Sequence, residues 1–219
     1  MDALLAAAVA AAPDGAIPLI LLLPTAAARH RPDLAAATGE RAFAAAAGRA
    51  GRSVEIGVVG ILRRTDAMDP RTVERLDGAH LVHLPGGDPD VIPAVLRGSP
   101  AWAAILRAHA RGACVAGASA GAMALAGRCW TRDGIVEGLG LLPGFAVLPH
   151  YAPGRLAGWR DGTAGERPLS WLGLDEQTMV IGQRGREWRV AGRGRVRVIP
   201  APGGGPTRSA GPGELLEVG

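Results

Sequence analysis

Residues 17–23, Ile-Pro-Leu-Ile-Leu-Leu-Leu, carry no polar side chain. A strand with one wet face alternates polar and apolar residues, so a run that never alternates belongs to a strand covered on both faces. Covering both faces of a sheet takes helices, and the following sequence supplies them. Helical stretches at Pro32–Gly48, Pro70–Asp77, Asp88–Leu96 and Pro100–Ala110 alternate with strand-length apolar runs at Ser53–Ile61, Ala79–Leu84 and Ala113–Gly117. This alternation predicts an α/β fold with a mostly parallel sheet and helices on both faces. Beyond residue 165 the pattern changes to short strands with Gly-containing turns, at Leu169–Leu174, Thr178–Gly182, Glu187–Ala191 and Arg195–Ile199. These read as antiparallel edge strands extending the same sheet. Pro200–Pro212, rich in Gly and Pro, reads as a loose connection before a last strand at Leu215–Val218. No repeat or linker interrupts the 219 residues, which suit one domain.

Charge and composition narrow the functional classes. The net charge is +4, and all 24 basic residues are arginine. They are interleaved with Asp and Glu along the chain, which fits a solvated surface and argues against a nucleic-acid track. Without lysine there is no Schiff-base chemistry and no P-loop. Two cysteines, Cys114 and Cys129, make neither a disulfide framework nor a zinc quartet. They fit a reducing compartment, and a cytoplasmic location is expected. Met1–Ala12 is apolar but carries Asp2 and no basic start, unlike a secretory signal. No apolar run reaches the roughly 18 residues a membrane span needs. Neither a metal nor a cofactor is expected.

The segment Ala113-Cys114-Val115-Ala116-Gly117-Ala118-Ser119-Ala120-Gly121-Ala122 contains G-x-S-x-G. In that motif a strand turns sharply into a helix and presents the serine hydroxyl above the sheet edge. Small neighbours are required because strand and helix cross closely, and every neighbour here is Gly or Ala. The plain alternative is a Gly/Ala-rich turn with an incidental serine. A helix start at Ala120–Leu125 would offer free N–H groups where negative charge develops.

A serine nucleophile needs a base and a group that orients it. Of five histidines, His30 lies in a charged stretch, His80 and His83 sit on one strand with opposite orientation, and His109 is near a helix end. His150 ends the apolar run Gly144–Pro149, at the kind of strand end that faces the crevice of an open α/β sheet. Asp175 and Glu176 follow another apolar run, and either could orient the base or simply form a turn. For the oxyanion, Ala120 N–H is one candidate. Gly87, in Leu84-Pro85-Gly86-Gly87-Asp88-Pro89, is the other. Asp88 reads as a helix N-cap with Pro89 at the first helical position.

These segments, taken together, are recognisable. Leu22-Leu23-Pro24-Thr25-Ala26, Leu84-Pro85-Gly86-Gly87-Asp88, Gly117–Ala122, Leu141-Leu142-Pro143-Gly144-Phe145, Pro149-His150-Tyr151 and Leu174-Asp175-Glu176-Gln177-Thr178 resemble, in order over residues 17–199, the dipeptidase E / cyanophycinase family of serine peptidases. The resemblance implies a flavodoxin-like, class I glutamine amidotransferase-like fold. It implies Ser119 as nucleophile, His150 as base, Glu176 as the third member, and the backbone of Gly87 and Ala120 at the oxyanion. Asp88, Tyr151 and Arg155 would bind substrate, Arg155 matching a family arginine that handles acidic groups. The expected activity is cleavage of small peptides, next to an acidic residue, by a cofactor-free monomer or homodimer. Pro89, Leu148 and Pro149 depart from the cyanophycinases and argue against cyanophycin itself as substrate. Met1–Gly15 lacks the family's Gly-rich first strand end, so that strand is expected to be missing or altered. Three rival readings follow: a non-catalytic binding or regulatory protein of the same fold, a cyanophycinase-like isopeptidase, and a small-ester hydrolase using Asp133 or Glu137. A glutamine amidotransferase fits least, because the elbow carries serine and Cys114 lies inside the preceding strand.

Overall fold

A computed structural model describes residues 1–152, 169–183 and 186–218. The chain folds into two compact units, Met1–Gly121 and Ala122–Gly219.

The first unit is the α/β part. It opens with α1 (Asp2–Ala11), so Met1–Gly15 carries a helix and not the family's first strand, which was expected to be missing or altered. Then follow β1 (Leu19–Leu22), a 3-10 turn at Pro24–Ala27, α2 (Pro32–Ala50), β2 (Glu55–Val58), α3 (Pro70–Asp77), β3 (Leu81–Leu84), α4 (Val91–Leu96), α5 (Pro100–Ala110) and β4 (Cys114–Gly117). The helix starts are written in the sequence. Pro stands in the first turn of α2, α3 and α5; the Asp69 carboxylate accepts the Thr72 N–H, and the Ser99 hydroxyl accepts the Trp102 N–H. Gly51 in the left-handed conformation stops α2.

The four strands are all parallel, in the order β2-β1-β3-β4. Ile20, Leu21, Leu22, Leu81, Val82 and Leu84 are fully buried, which explains the unbroken apolar runs. On one face α2 lies against Leu22 and its register partner His83: Gly39 packs on Leu22 and Phe43 meets the His83 ring edge-on at 5.7 Å. The Arg49–Asp2 ion pair ties α2 to α1. On the other face the Arg107–Asp77 ion pair ties α5 to α3. The strand order reverses direction between β1 and β3, and in open α/β sheets ligands bind beyond the carboxyl ends at such a switch point.

α6 (Ala120–Leu125) leads into the second unit, which is built of strands: β5 (Ala126–Thr131), β6 (Gly134–Glu137), β7 (Leu142–Leu148), β8 (Ser170–Leu174), β9 (Thr178–Ile181), β10 (Glu187–Gly192), β11 (Val196–Ile199), β12 (Arg208–Ala210) and β13 (Leu215–Glu217). Here an expectation is corrected. The C-terminal strands do not extend the four-stranded sheet; they join a six-stranded sheet, β12-β11-β8-β7-β5-β6, and a three-stranded sheet, β13-β10-β9. The reason is a second nucleus: β7 pairs in parallel with both β5 and β8, and the antiparallel strands add around it. β7 alternates accordingly. Phe145 and Val147 pack into a cluster with Leu172, Val190, Val196, Val198 and Leu216, while Ala146 and Leu148 pack with Leu169, Trp171 and Ile199. The stretch Pro200–Pro212, expected to be a loose connection, contains the short strand β12 paired to β11.

Candidate active site

In the first unit the chemistry gathers at the carboxyl ends of β1, β3 and β4. Gly117 pairs with Leu84, and the Ala118 N–H donates to the Leu84 carbonyl at 2.9 Å. The next residue, Ser119, has φ 50°, a left-handed conformation that costs a non-glycine residue about 1–2 kcal/mol. The surroundings hold it there. A Cβ on Gly121 would lie 2.0 Å from the Leu84 carbonyl oxygen, so only glycine lets α6 cross β3 this closely. A Cβ on Gly86 would lie 3.0 Å from the Ser119 Cβ. The small residues of the motif are therefore a packing requirement, and Ser119 sits at a tight strand-to-helix elbow.

The loop after β3 is tied just as closely. A Cβ on Gly87 would lie 2.3 Å from the Ala26 carbonyl oxygen, and the Asp88 N–H donates to that oxygen at 2.7 Å. Among the described residues the exposed Gly87 N–H has no hydrogen-bond partner. Asp88 is not the cap of α4, which starts at Val91 behind Asp90. Its buried carboxylate instead accepts the Asp90 N–H at 3.1 Å and pairs with Arg29 at 3.1 Å. The carboxylate is committed to the turn before it could reach α4.

The second unit brings His150 and Glu176 together. His150 follows β7 and Pro149, and its φ of 53° is again left-handed. Glu176 follows β8, and its Oε1 lies 2.6 Å from His150 Nδ1. A carboxylate only accepts, so in this pairing Nδ1 is the donor. Asp175 turns elsewhere: it accepts the Arg195 N–H at 2.9 Å and the Arg197 guanidinium at 2.5 Å. Burial raises the Asp175 carboxyl, but the Arg195 N–H and Arg197 outweigh it and hold it below the usual carboxylate value. The Tyr151 N–H donates to the Leu174 carbonyl, and the Tyr151 ring lies 4.6 Å from the Arg197 guanidinium carbon. Arg155 falls outside the described residues. Asp133 lies in the exposed turn of the β5–β6 hairpin and Glu137 at the end of β6, opposite Arg128.

Two of the remaining histidines bond the backbone of the fold. His80 Nδ1 accepts the Leu19 N–H, and His109 Nδ1 pairs with the Ala113 carbonyl. His83 is buried, and burial pushes it down to about 4. Burial pushes the Cys114 thiol up to about 11, leaving it protonated and unreactive at neutral pH. What residue-by-residue reading missed is Arg197: an arginine on an alternating strand gives no local sign that it meets both Tyr151 and Asp175.

The sequence profile of Peptidase family S51 matches residues 7–186. The chain belongs to peptidase family S51. It is a serine-type peptidase, a hydrolase. The S51 peptidase is similar over 98% of its length to the crystal structure of a peptidase from an acI-B1 Actinobacterium, with 27% identity, 88% of that chain covered and a TM-score of 0.79. It also shares the fold of a peptidase E candidate from Listeria monocytogenes EGD-e, with 17% identity over 80% of this chain and 85% of that one, at a TM-score of 0.58. No curated protein matches the chain. Among the described residues, no helix of the S51 peptidase is long and apolar enough to cross a membrane.

Proposed function

We propose that this S51 peptidase cleaves amide bonds of small peptides with Ser119 as nucleophile, His150 as general base and acid, and Glu176 as the group that orients the imidazole. The observation that carries this reading is the left-handed Ser119 at a turn that only glycine at 121 permits. The 2.6 Å pairing of His150 with Glu176 supports it from the other side of the reaction.

In this mechanism the Ser119 hydroxyl attacks the scissile carbonyl while His150 Nε2 takes its proton. The Gly87 and Ala120 N–H groups receive the oxyanion. The intermediate collapses as His150 protonates the leaving amine, and water activated by the same imidazole releases the acyl group. Glu176 keeps Nδ1 protonated throughout and stabilises the imidazolium when it forms. Asp88 and Tyr151 shape the substrate site, Asp88 through the turn it ties and Tyr151 beside the base. Arg155 is the residue that would receive an acidic side chain next to the scissile bond, so aspartyl and glutamyl dipeptides are the first substrates to try, before isopeptides and simple esters.

The test is turnover of a panel of acidic and neutral dipeptides. Ser119→Ala is expected to lower kcat by roughly three to four orders of magnitude and to abolish fluorophosphonate labelling. His150→Ala should do the same, and the double variant should be little worse than either single one. Undiminished turnover in Ser119→Ala would refute the assignment.

A further inference from the structure

We propose that Arg197 is a positioning residue, which fixes the His150–Glu176 pair by holding both of the loops that carry it. The inference rests on the catalytic reading above for its functional meaning, and on the second unit alone for its geometry.

The pair needs an outside hold. Its side chains are 47% and 73% exposed, and two flexible groups that wet do not keep one geometry by their mutual attraction. His150 and Gln177 both sit at a φ of 53°, so each loop carries backbone strain next to the pair. Something must over-determine these loops, and Arg197 is placed to do it. It lies on β11 in register with Gly173 of β8. From there its guanidinium stacks on Tyr151, the residue directly after the base, with 4.6 Å from its central carbon to the ring centroid. The same guanidinium bonds the carboxylate of Asp175, the residue directly before the acid. The Arg197 and Asp175 side chains are only 24% and 26% exposed, so this bond is better shielded than the pair it supports.

The neighbours of this tie complete it. Gly173 leaves room for the Tyr151 ring, since a Cβ there would lie 2.7 Å from Tyr151 Cδ2. The Tyr151 N–H is bonded to the Leu174 carbonyl, and the other Asp175 oxygen takes the Arg195 N–H. The Thr178 hydroxyl donates to the Glu176 carbonyl. Arg197 thus reaches a flanking residue of both members.

Two measurements that need no substrate test this. One is the rate at which a fluorophosphonate labels Ser119. The other is the downfield proton NMR resonance of His150 Nδ1–H, identified by its loss in Glu176→Gln. Arg197→Ala is expected to slow labelling by about 10- to 100-fold, as a displacement of a catalytic group by about 1 Å would, and to shift or broaden the resonance. Arg197→Lys should recover part of both, and Asp175→Asn should fall between Arg197→Lys and Arg197→Ala. Arg208→Ala, which removes an exposed arginine of the same sheet, paired to Glu217 on β13, should behave as wild type. If Arg197→Ala does not fold, Arg197→Lys and Asp175→Asn decide. Wild-type labelling and an unchanged resonance in folded Arg197 variants, with only the melting temperature lowered, would overturn the proposal. Labelling that persists in Ser119→Ala would overturn the catalytic reading instead, and the resonance alone would then decide on Arg197.

Discussion

The two units fix their proposed catalytic groups by different means. In the first, Ser119 is set by backbone against backbone: Gly121 under the Leu84 carbonyl, Gly87 under the Ala26 carbonyl, and Gly86 against Ser119 itself. In the second, His150 and Glu176 are set by side chains: Arg197, Asp175, Tyr151 and Thr178. Steric exclusion has no soft limit and does not depend on pH or salt. Ion pairs and hydrogen bonds are directional but adjustable. The contrast predicts that the first unit breaks when an atom is added and the second when a charge is removed.

Glycine substitutions test this with the largest expected effect. Gly121→Ala places a Cβ 2.0 Å from a backbone oxygen that is itself bonded to the Ala118 N–H, so β3 or α6 must move. The expected cost is about 3 kcal/mol or more in urea unfolding, with kcat/KM falling roughly a thousandfold. Gly173→Ala in the second unit meets the Tyr151 ring at 2.7 Å, a side chain that can turn aside. Its expected cost is about 1 kcal/mol, with a larger loss in kcat than in stability because Tyr151 follows His150. Equal stability losses in the two variants would erase the distinction.

Acid tests the contrast at the next level. His83, buried against Phe43, has an ordinary value of 6.5 that falls to about 4 in the fold. Between those values the unfolded chain binds a proton that the folded chain excludes. Stability is therefore fully present above pH 6.5, declines as pH falls, and levels off below 4 after a loss of about 3 kcal/mol. Asp175 has a depressed value, so its contribution persists at neutral pH and is lost only as pH falls past the ordinary carboxylate value toward its own lower one. The first unit should accordingly weaken at milder acidity than the second. The midpoint of urea unfolding, followed from pH 7 to 4, should lose this slope in His83→Leu and keep it in Asp175→Asn.

The same division explains what could be read from the sequence. Helices α3 (Pro70–Asp77), α5 (Pro100–Ala110) and α6 (Ala120–Leu125) have the bounds the sequence suggested, because Pro, Ser, Asp and Gly punctuate the chain locally. The buried strands of the first unit were legible from unbroken aliphatic runs. In the second unit β12 was hidden in a Gly/Pro-rich stretch, and the β5–β6 hairpin was not foreseen: Ala-Gly-Arg-Cys-Trp-Thr has no clean alternation. α1 stands where the family's first strand was expected to be missing or altered, but that the segment would be helical was not foreseen, since no side-chain cap announces it. At the site, the steric half was visible as a motif of small residues. The choice of Glu176 over Asp175 came from the family resemblance and not from the local residues, where either carboxylate could orient the base; in the fold Arg195 and Arg197, 20 and 22 residues away from Asp175, draw Asp175 elsewhere. Asp88 was misjudged as a cap for the same reason, because its partner Arg29 lies 59 residues earlier.

The smallest expected effect is the sharpest check on the role given to charge in the second unit. Arg208 pairs with Glu217 at 3.5 Å, with side chains 49% and 73% exposed. Arg197 pairs with Asp175 on the same sheet, but with both side chains largely covered and with an aromatic ring stacked beneath the guanidinium. If shielding and attachment to the His150 and Glu176 loops are what make an ion pair matter here, Arg208→Ala should cost no more than about 0.5 kcal/mol and leave kcat unchanged. High salt should weaken the Arg208 pair further and spare the Arg197 pair, because screening acts on charges that water surrounds. A loss above about 1 kcal/mol in Arg208→Ala, or a salt-sensitive Arg197, would mean that arginine contributes to this unit in bulk through its overall field. The placement of one guanidinium between two loops would then have no special standing.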